Sequence, residues 1–168
     1  YGDLSTPTNI YGSQAGEAWN IGFIGTTKTV LGVIDTGIDY THPDLFQNIW
    51  INQKEINTTL RGSLADVDAD GTISFVDLNH AANVTYVSDL NNNGRIDAGD
   101  LLADSRWEDG NDFDSNGYID DIVGWDFVNN DEESFDDNLG LHGTAVAKII
   151  NESLPTTPHQ IMPLKICN

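Results

Sequence analysis

Two side chains able to move protons stand far apart in this sequence of 168 residues. Asp35 directly follows the apolar run from Val30 to Ile34, which has the length and composition of a buried strand. A carboxylate at the end of such a strand is poorly solvated, so it must be paired, hydrogen-bonded or used in chemistry. His142 opens a predicted helix, where the helix dipole disfavours a charged imidazole and favours a neutral general base. The sequence therefore indicates acid–base chemistry at these two residues, the alternatives being a turn aspartate and a capping histidine.

A second set of candidate residues lies between them, in an acidic segment over 66–137. The chain has 27 acidic and 7 basic residues, a net charge of −20, and most of the acidic residues fall in this segment. Such charge usually marks a solvated face or disorder, but here the acids follow the spacing of a calcium loop, with glycine at position six. We call 66–77 the first loop and 89–100 the second. Their predicted metal ligands are Asp66, Asp68, Asp70, Thr72 and Asp77, and Asp89, Asn91, Asn93, Arg95, Asp97 and Asp100.

A third loop, starting at Asp112, matches the same spacing incompletely. Its position twelve is Val123, so Asp121 would have to act in that place. Without cations, close carboxylates in the three loops would repel each other by roughly a few kcal/mol per pair, so we expect folding to be linked to calcium. The predicted ligands of the third loop are Asp112, Asp114, Asn116, Tyr118, Asp120 and Asp121.

The elements that must position these residues form a pattern of strands and helices. Apolar runs predict strands over 29–34, 122–128 and 160–166, and a helix is predicted over 142–150. Strands with a helix between them imply a parallel, doubly wound sheet, so the predicted fold class is α/β with the acidic segment as an insertion. Further predicted elements are a helix capped by Ser13, a strand over 84–87 and a helix over 98–103.

The stretches around Asp35 and His142 resemble the subtilisin-like serine proteases, or subtilases. The matching motifs are VIDTGID followed by HPDL, and HGTAVA, with weaker matches in YGSQAGEAW, VGWDFVNND and IMPLKI. The resemblance implies that Asp35 orients the imidazole of His142, the general base for a serine hydroxyl. It also implies a calcium site at Asp126 and Asp131, as in thermitase-like relatives, where the alternative is a solvated acidic loop. The three loops are similar to those of dockerin modules, with one helix each.

The family's serine nucleophile follows much later, in a Gly-Thr-Ser-Met-Ala-like turn, and no serine of this chain has that context. Ser63 is nearest but lacks the preceding threonine, and Lys148 stands where the family usually has glycine. We therefore expect residues 1–168 to be the N-terminal part of a subtilisin-like catalytic domain, with a calcium-binding insertion over 62–137. Alone, this part should be inactive, and its expected partner is the serine-bearing C-terminal half of the same protease.

Three interpretations of function remain open at this stage. The first is a calcium-dependent, secreted serine endopeptidase acting on peptide or protein substrates, and the second is a non-catalytic calcium-binding module of subtilase descent. The third, an aspartic protease, rests on Asp35-Thr36-Gly37 alone, and such enzymes need a second aspartate of this kind that the chain lacks. The net charge of −20 argues against nucleic acid and anionic membranes as partners, and no apolar run has membrane-spanning length.

Overall fold

A computed structural model describes residues 15–23, 25–26, 28–154 and 159–168. The predicted cap at Ser13 lies outside these residues. Within the described ranges, no helix has the length and apolar character needed to cross a bilayer. The elements are α1 Ala15–Asn20, β1 Val30–Asp35, α2 Thr58–Arg61, α3 Phe75–Leu78, α4 Ala98–Leu102, β2 Trp125–Asp126, α5 His142–Ser153 and β3 Gln160–Lys165, with short 3-10 turns at Phe46–Asn48 and Ala81–Asn83.

The three described strands form one parallel sheet with β3 in its centre, in the order β1-β3-β2. The register places Asp35, the last residue of β1, opposite Lys165, the last residue of β3. Helix α5 connects β2 to β3 and packs against β1. The predicted α/β class and the parallel sheet are therefore confirmed.

Two strands differ from their predictions. Within β1 only Val33 is fully buried, whereas Ile34 is 63% exposed, because successive side chains of a strand point to opposite faces of the sheet. The strand predicted over 122–128 is reduced to β2, because the chain turns at Asp126, whose amide donates to the carbonyl of Asp131 at 2.8 Å. The amide of Phe127 still donates to the carbonyl of Lys165 at 2.8 Å, so this last bond to β3 lies within the turn.

The acidic segment shares one hydrophobic core with the sheet. Phe75 and Leu101 are almost fully buried in the same cluster as Val33 of β1. Ile73 and Ile96, which stand at position eight of the first and second loops, also belong to it. Burying a side chain of this size contributes roughly 1.5–3 kcal/mol, so the charged loops are attached to the fold by an apolar underside.

The predicted strand over 84–87 is wrong, whereas the predicted helix after the second loop is confirmed as α4. Residues 84–86 form a turn, in which the amide of Tyr86 donates to the carbonyl of Asn83 at 2.9 Å. The carbonyl of Tyr86 accepts from the indole N–H of Trp107 at 3.0 Å, and that of Thr85 accepts from Arg106 at 3.1 Å. Side chains rather than a neighbouring strand therefore satisfy this backbone.

Candidate functional site

The structure brings Asp35 and His142 into direct contact, although 107 residues separate them. Nδ1 of His142 lies 2.7 Å from Oδ1 of Asp35, at the point where the end of β1 meets the start of α5. The imidazole is 71% exposed and the carboxylate 18%. Nε2 of His142 has no hydrogen-bond partner within the described part of the chain. The imidazole is therefore held on one side and open on the other.

The charge state of Asp35 fits this arrangement. Burial raises the pKa of Asp35, but the hydrogen bonds from His142 and from the Thr36 amide, the latter at 2.8 Å, outweigh it and lower the pKa. The carboxylate is therefore ionised at neutral pH and accepts a hydrogen bond from Nδ1–H of His142. This hydrogen bond selects the tautomer in which Nε2 is free to accept a proton.

Two glycines allow the strand end and the helix start to approach so closely. A Cβ on Gly143 would lie 2.1 Å from the carbonyl oxygen of Gly37, and a Cβ on Gly37 would lie 2.6 Å from that of Ser134. Gly37 also has a φ of +98°, in the region that favours glycine. The Asp-Thr-Gly and His-Gly-Thr triplets are therefore packed backbone against backbone.

Two sequence features depart from the subtilase pattern, namely the missing serine motif and Lys148 in place of glycine. Within the described part of the chain, no serine hydroxyl is hydrogen-bonded to the imidazole of His142. Lys148 points its amine at Asp44, with Nζ 3.4 Å from Oδ2. A lysine is thus accommodated on α5 by an ion pair at the surface, which uses the carboxylate of the HPDL motif.

The first and second loops have the same backbone geometry. The carboxylate of Asp66 accepts the amides of positions five and six at 3.2 and 2.9 Å, and that of Asp89 accepts the equivalent amides at 3.0 and 2.8 Å. Position four has a φ of 59° in both, at Ala69 and Asn92. The position-twelve carboxylates, Asp77 and Asp100, each accept the amides of positions two and nine. Two stretches of different sequence therefore adopt one loop fold.

The oxygen atoms of these loops suit a hard divalent cation. Carboxylate oxygens of Asp66, Asp68 and Asp70 lie within 4.8 Å of one another. In the second loop the side-chain amides of Asn91 and Asn93 donate to Asp97 at 3.2 and 2.7 Å. Carboxylate, amide and hydroxyl oxygens in this arrangement are the ligand set that calcium prefers.

The third loop is completed by a residue that the sequence analysis missed. Asp112 accepts the amides of positions five and six at 3.1 and 2.9 Å, as in the other two loops. The carboxylate that accepts the amides of positions two and nine is Glu55, at 3.3 and 3.2 Å. Glu55 is 1% exposed, and its oxygen lies within 4.8 Å of those of Asp112 and Asp114. Glu55 thus takes the place of the missing position twelve from a distant part of the chain.

Asp121, which we expected in that place, has other contacts. Its oxygens accept the side-chain amides of Asn52 and Asn116, both at 2.9 Å. Asp120 turns away from the loop and accepts the amides of Asp109 and Gly110 at 3.1 and 2.9 Å. The only signal for Glu55 in the sequence was the apolar residue at position twelve of the third loop. It indicates that a carboxylate must come from elsewhere in the chain, but it does not identify that residue.

Asp126 and Asp131, the pair expected to hold a further calcium ion, have other contacts. Asp126 is fully buried, its Oδ1 accepts the amide of Val128 at 2.6 Å, and its Oδ2 lies 3.6 Å from the ammonium of Lys165. Oδ1 of Asp131 accepts the amide of Glu133 at 3.2 Å. A buried ammonium beside Asp126 opposes a second cation there, so we assign this pair a structural part.

A parallel sheet that holds a strand-end aspartate against a helix-start histidine has the geometry of the Asp–His half of a catalytic triad on an α/β fold. The profile of the Subtilase family matches residues 26–158, and the chain belongs to this family. It is 33% identical over 123 residues to subtilisin-like protease 1 of Plasmodium vivax, covering 73% of this chain and 11% of that protein. Subtilisin-like protease 1 of Plasmodium berghei is 30% identical over 128 residues, covering 76% of this chain and 12% of that protein. The chain thus spans about a tenth of the length of these relatives.

Proposed function

We propose that this chain supplies the orienting carboxylate and the general base of a serine endopeptidase that hydrolyses peptide bonds. The observation that carries the proposal is the 2.7 Å contact between Nδ1 of His142 and Oδ1 of Asp35. In this proposal the nucleophile is a serine that lies outside these 168 residues, in the C-terminal part of the same protease. Membership of the subtilase family and similarity to proteins named subtilisin-like protease 1 support it.

In the proposed chemistry, the part of His142 is to transfer protons at one nitrogen, Nε2. Nε2 of His142 takes the proton of the serine hydroxyl as its oxygen attacks the peptide carbonyl, and gives that proton to the leaving amine as the peptide bond breaks, which leaves the acyl group on the serine. Nε2 then takes a proton from a water whose oxygen attacks the acyl carbonyl, and returns it to the serine oxygen as the carboxylic acid product leaves. Asp35 remains ionised throughout and stabilises the imidazolium that forms. The substrates are therefore peptides or proteins, and the open side of the imidazole faces them.

The test is the activity of a protein extended to include the serine-bearing part of the same reading frame. We expect His142→Ala to lower kcat by about 10⁶ and Asp35→Asn by about 10⁴, magnitudes measured for triad residues in serine proteases, including a subtilisin, and not obtained from this chain. His80→Ala, a surface histidine in the acidic segment, is the matched control and should leave kcat unchanged. Full activity of His142→Ala would reject the proposal.

The second part of the proposal is that the three loops bind calcium. The first loop would hold it through Asp66, Asp68, Asp70 and Asp77, with equivalent residues in the second loop. The third loop would use Asp112, Asp114 and Glu55. The support is the shared loop geometry and the convergence of carboxylate oxygens within 4.8 Å in the first and third loops. Calcium would neutralise part of the net charge of −20 and bring the loops to order.

Calorimetric titration tests calcium binding independently of any activity. We expect at least two calcium ions to bind and the melting temperature to rise, since a ligand at 100 times its Kd stabilises by about 2.7 kcal/mol per site. Magnesium at the same concentration is the control, because its smaller, octahedral shell fits these loops less well. No heat of binding and no thermal shift would reject calcium binding.

The three loops also favour a second function, that of a non-catalytic calcium-binding module. The two functions separate experimentally, because a serine-directed covalent probe labels the extended protein only in the first case.

Calcium loops with aspartate at position twelve, which shortens the bidentate arm, suit the high calcium concentration outside cells, so we propose an extracellular location. Detection of the protein in the culture medium of its source cells tests this location.

A further inference from the structure

The first turn of α5 is capped by side chains from elsewhere in the chain. A helix start leaves its first amides without partners in the helix. Leu141, the residue before α5, has a left-handed backbone and provides no side-chain cap. Instead, the amide of Gly143 donates to Oγ1 of Thr36 at 3.0 Å, and that of Thr144 donates to Oδ2 of Asp136 at 3.1 Å. The helix that carries His142 is therefore fixed by two residues outside it.

Asp136 is an unusual residue to find at this point. It is 1% exposed, and Oδ2 also accepts the hydroxyl proton of Thr144 at 2.7 Å. Its other oxygen, Oδ1, is buried and has no partner within the described residues. Burying a carboxylate with one oxygen unpaired is costly, although the positive end of the helix dipole offsets part of the cost. Such a residue indicates a function other than stability.

The segment that carries Asp136 is itself anchored beside the Asp–His pair. The ammonium of Lys165 donates to the carbonyl of Phe135 at 3.2 Å and to the carboxylate of Asp137 at 2.8 Å. Lys165 stands opposite Asp35 in the sheet. Residues on both sides of Asp136 are therefore bonded to Lys165 at the end of β3. Because Asp136 in turn accepts the amide of Thr144, it fixes the start of α5 relative to the sheet.

We propose that Asp136 and Thr36 are positioning residues that hold His142 against Asp35. Thr36 fixes the amide of Gly143 to the end of β1, and Asp136 fixes that of Thr144 to the anchored segment. Asp136 contacts neither Asp35 nor the imidazole of His142, whereas Thr36 also donates its amide to Oδ1 of Asp35 at 2.8 Å. Their part in catalysis rests on the proposed function. In a catalytic pair such as Asp35 and His142, a displacement of about 1 Å costs about 10²-fold in rate, so the position of the helix start matters.

The proposal is tested by ¹⁵N NMR of the histidine tautomer in the 168-residue chain, which needs neither a nucleophile nor a substrate. At pH 9 we expect His142 to be the Nδ1–H tautomer in the unmodified chain. Thr36→Val and Asp136→Ala should lose this tautomer in favour of Nε2–H. Thr36→Ser, which keeps the hydroxyl, should retain it. Asp136→Asn, which keeps one acceptor oxygen for the Thr144 amide, should also retain it.

Asn83→Ala is the control for loss of stability alone. Asn83 is fully buried, makes three hydrogen bonds to the backbone and has no recorded bond to α5. It should lower the melting temperature while the His142 tautomer stays unchanged. Folded Thr36→Val and Asp136→Ala that keep the Nδ1–H tautomer would overturn the positioning proposal, and Thr36→Val alone decides if Asp136→Ala does not fold. The protease assay above decides separately on the proposed function.

Discussion

At the scale of single residues, the third loop depends on a carboxylate from outside it. Glu55 accepts the amides of Phe113 and Asp120, the contacts that Asp77 and Asp100 make within their own loops. We predict that Glu55→Gln removes one calcium ion from the stoichiometry measured by calorimetry. The glutamine side chain would also place an N–H donor opposite backbone amides. We therefore expect the free energy of unfolding, measured with a calcium chelator present, to fall by about 1–3 kcal/mol.

Asp121→Asn is the matched control for Glu55, because Asp121 is the residue that the sequence favoured. It should keep the number of bound calcium ions, since the oxygens of Asp121 are bonded to Asn52 and Asn116. Loss of an ion in Asp121→Asn, with the stoichiometry of Glu55→Gln unchanged, would restore the sequence-based hypothesis.

The contact between Gly143 and Gly37 makes a second prediction at this scale. A Cβ on Gly143 would lie 2.1 Å from a backbone oxygen, which cannot move away as a side chain can. We predict that Gly143→Ala destabilises the chain by about 3 kcal/mol, the upper part of the usual range for overpacking. Thermal unfolding measures it, and Gly62→Ala is the control, because a Cβ there meets nothing closer than 3.4 Å. Equal melting temperatures for the two variants would contradict the prediction.

The local motifs were predictable from the sequence, whereas contacts from distant segments were not. The Asp–His pair and the loop spacings follow from short patterns, which the structure reproduces at Asp35, His142, Asp66 and Asp89. Glu55 could not be assigned, because nothing near it in the sequence refers to a loop that begins at Asp112. The same limit applies to the capping of α5, which depends on tertiary packing rather than on residues adjacent to the helix.

At the scale of elements, the strand expected over 84–87 shows how tertiary contacts override a local preference. Val84, Tyr86 and Val87 have high strand propensity, but propensity is decided by the available partners. Arg106 and Trp107 provide donors for the carbonyls of this segment, and no strand lies beside it in the described structure. In contrast, α4 was predictable because Asp97 caps it within the loop that precedes it.

The left-handed residue at position four of each loop leads to a prediction about the loops as elements. Asn92 and Ser115 occupy this position in the second and third loops, and Ala69 occupies it in the first with a φ of 59°. Because this conformation costs a residue with a Cβ about 1–2 kcal/mol, we predict that Ala69→Gly stabilises the chain by up to about 1 kcal/mol. Thermal unfolding in chelator measures the change. Ala65→Gly, at a position without a positive φ, should destabilise instead, and a loss of stability in both variants would contradict the prediction.

At the scale of the whole molecule, the acidic segment and the sheet form one folding unit. Their side chains share a hydrophobic core, while a net charge of −20 opposes compaction. The carboxylates at the centre of this conflict are buried. Burial, the largest cause, raises the pKa values of Glu55, Asp97, Asp120 and Asp121 above their ordinary range.

These raised pKa values predict opposite pH responses with and without calcium. A carboxyl whose pKa is higher in the folded than in the unfolded state binds its proton more tightly when folded. Its stabilising effect is complete below the unfolded pKa of about 4 and is lost as the pH rises through the folded pKa.

The calcium-stripped chain should therefore melt at a higher temperature at pH 5 than at pH 7. With saturating calcium the order should reverse, because protons compete with the ion for the oxygens of Glu55 and Asp97. Asp104, whose pKa is lowered by Arg106, acts in the opposite direction but only below about pH 4. Scanning calorimetry at pH 5, 6 and 7 with and without calcium measures both responses, and melting temperatures that change with pH in the same direction under both conditions would show that Glu55 and Asp97 are not calcium ligands.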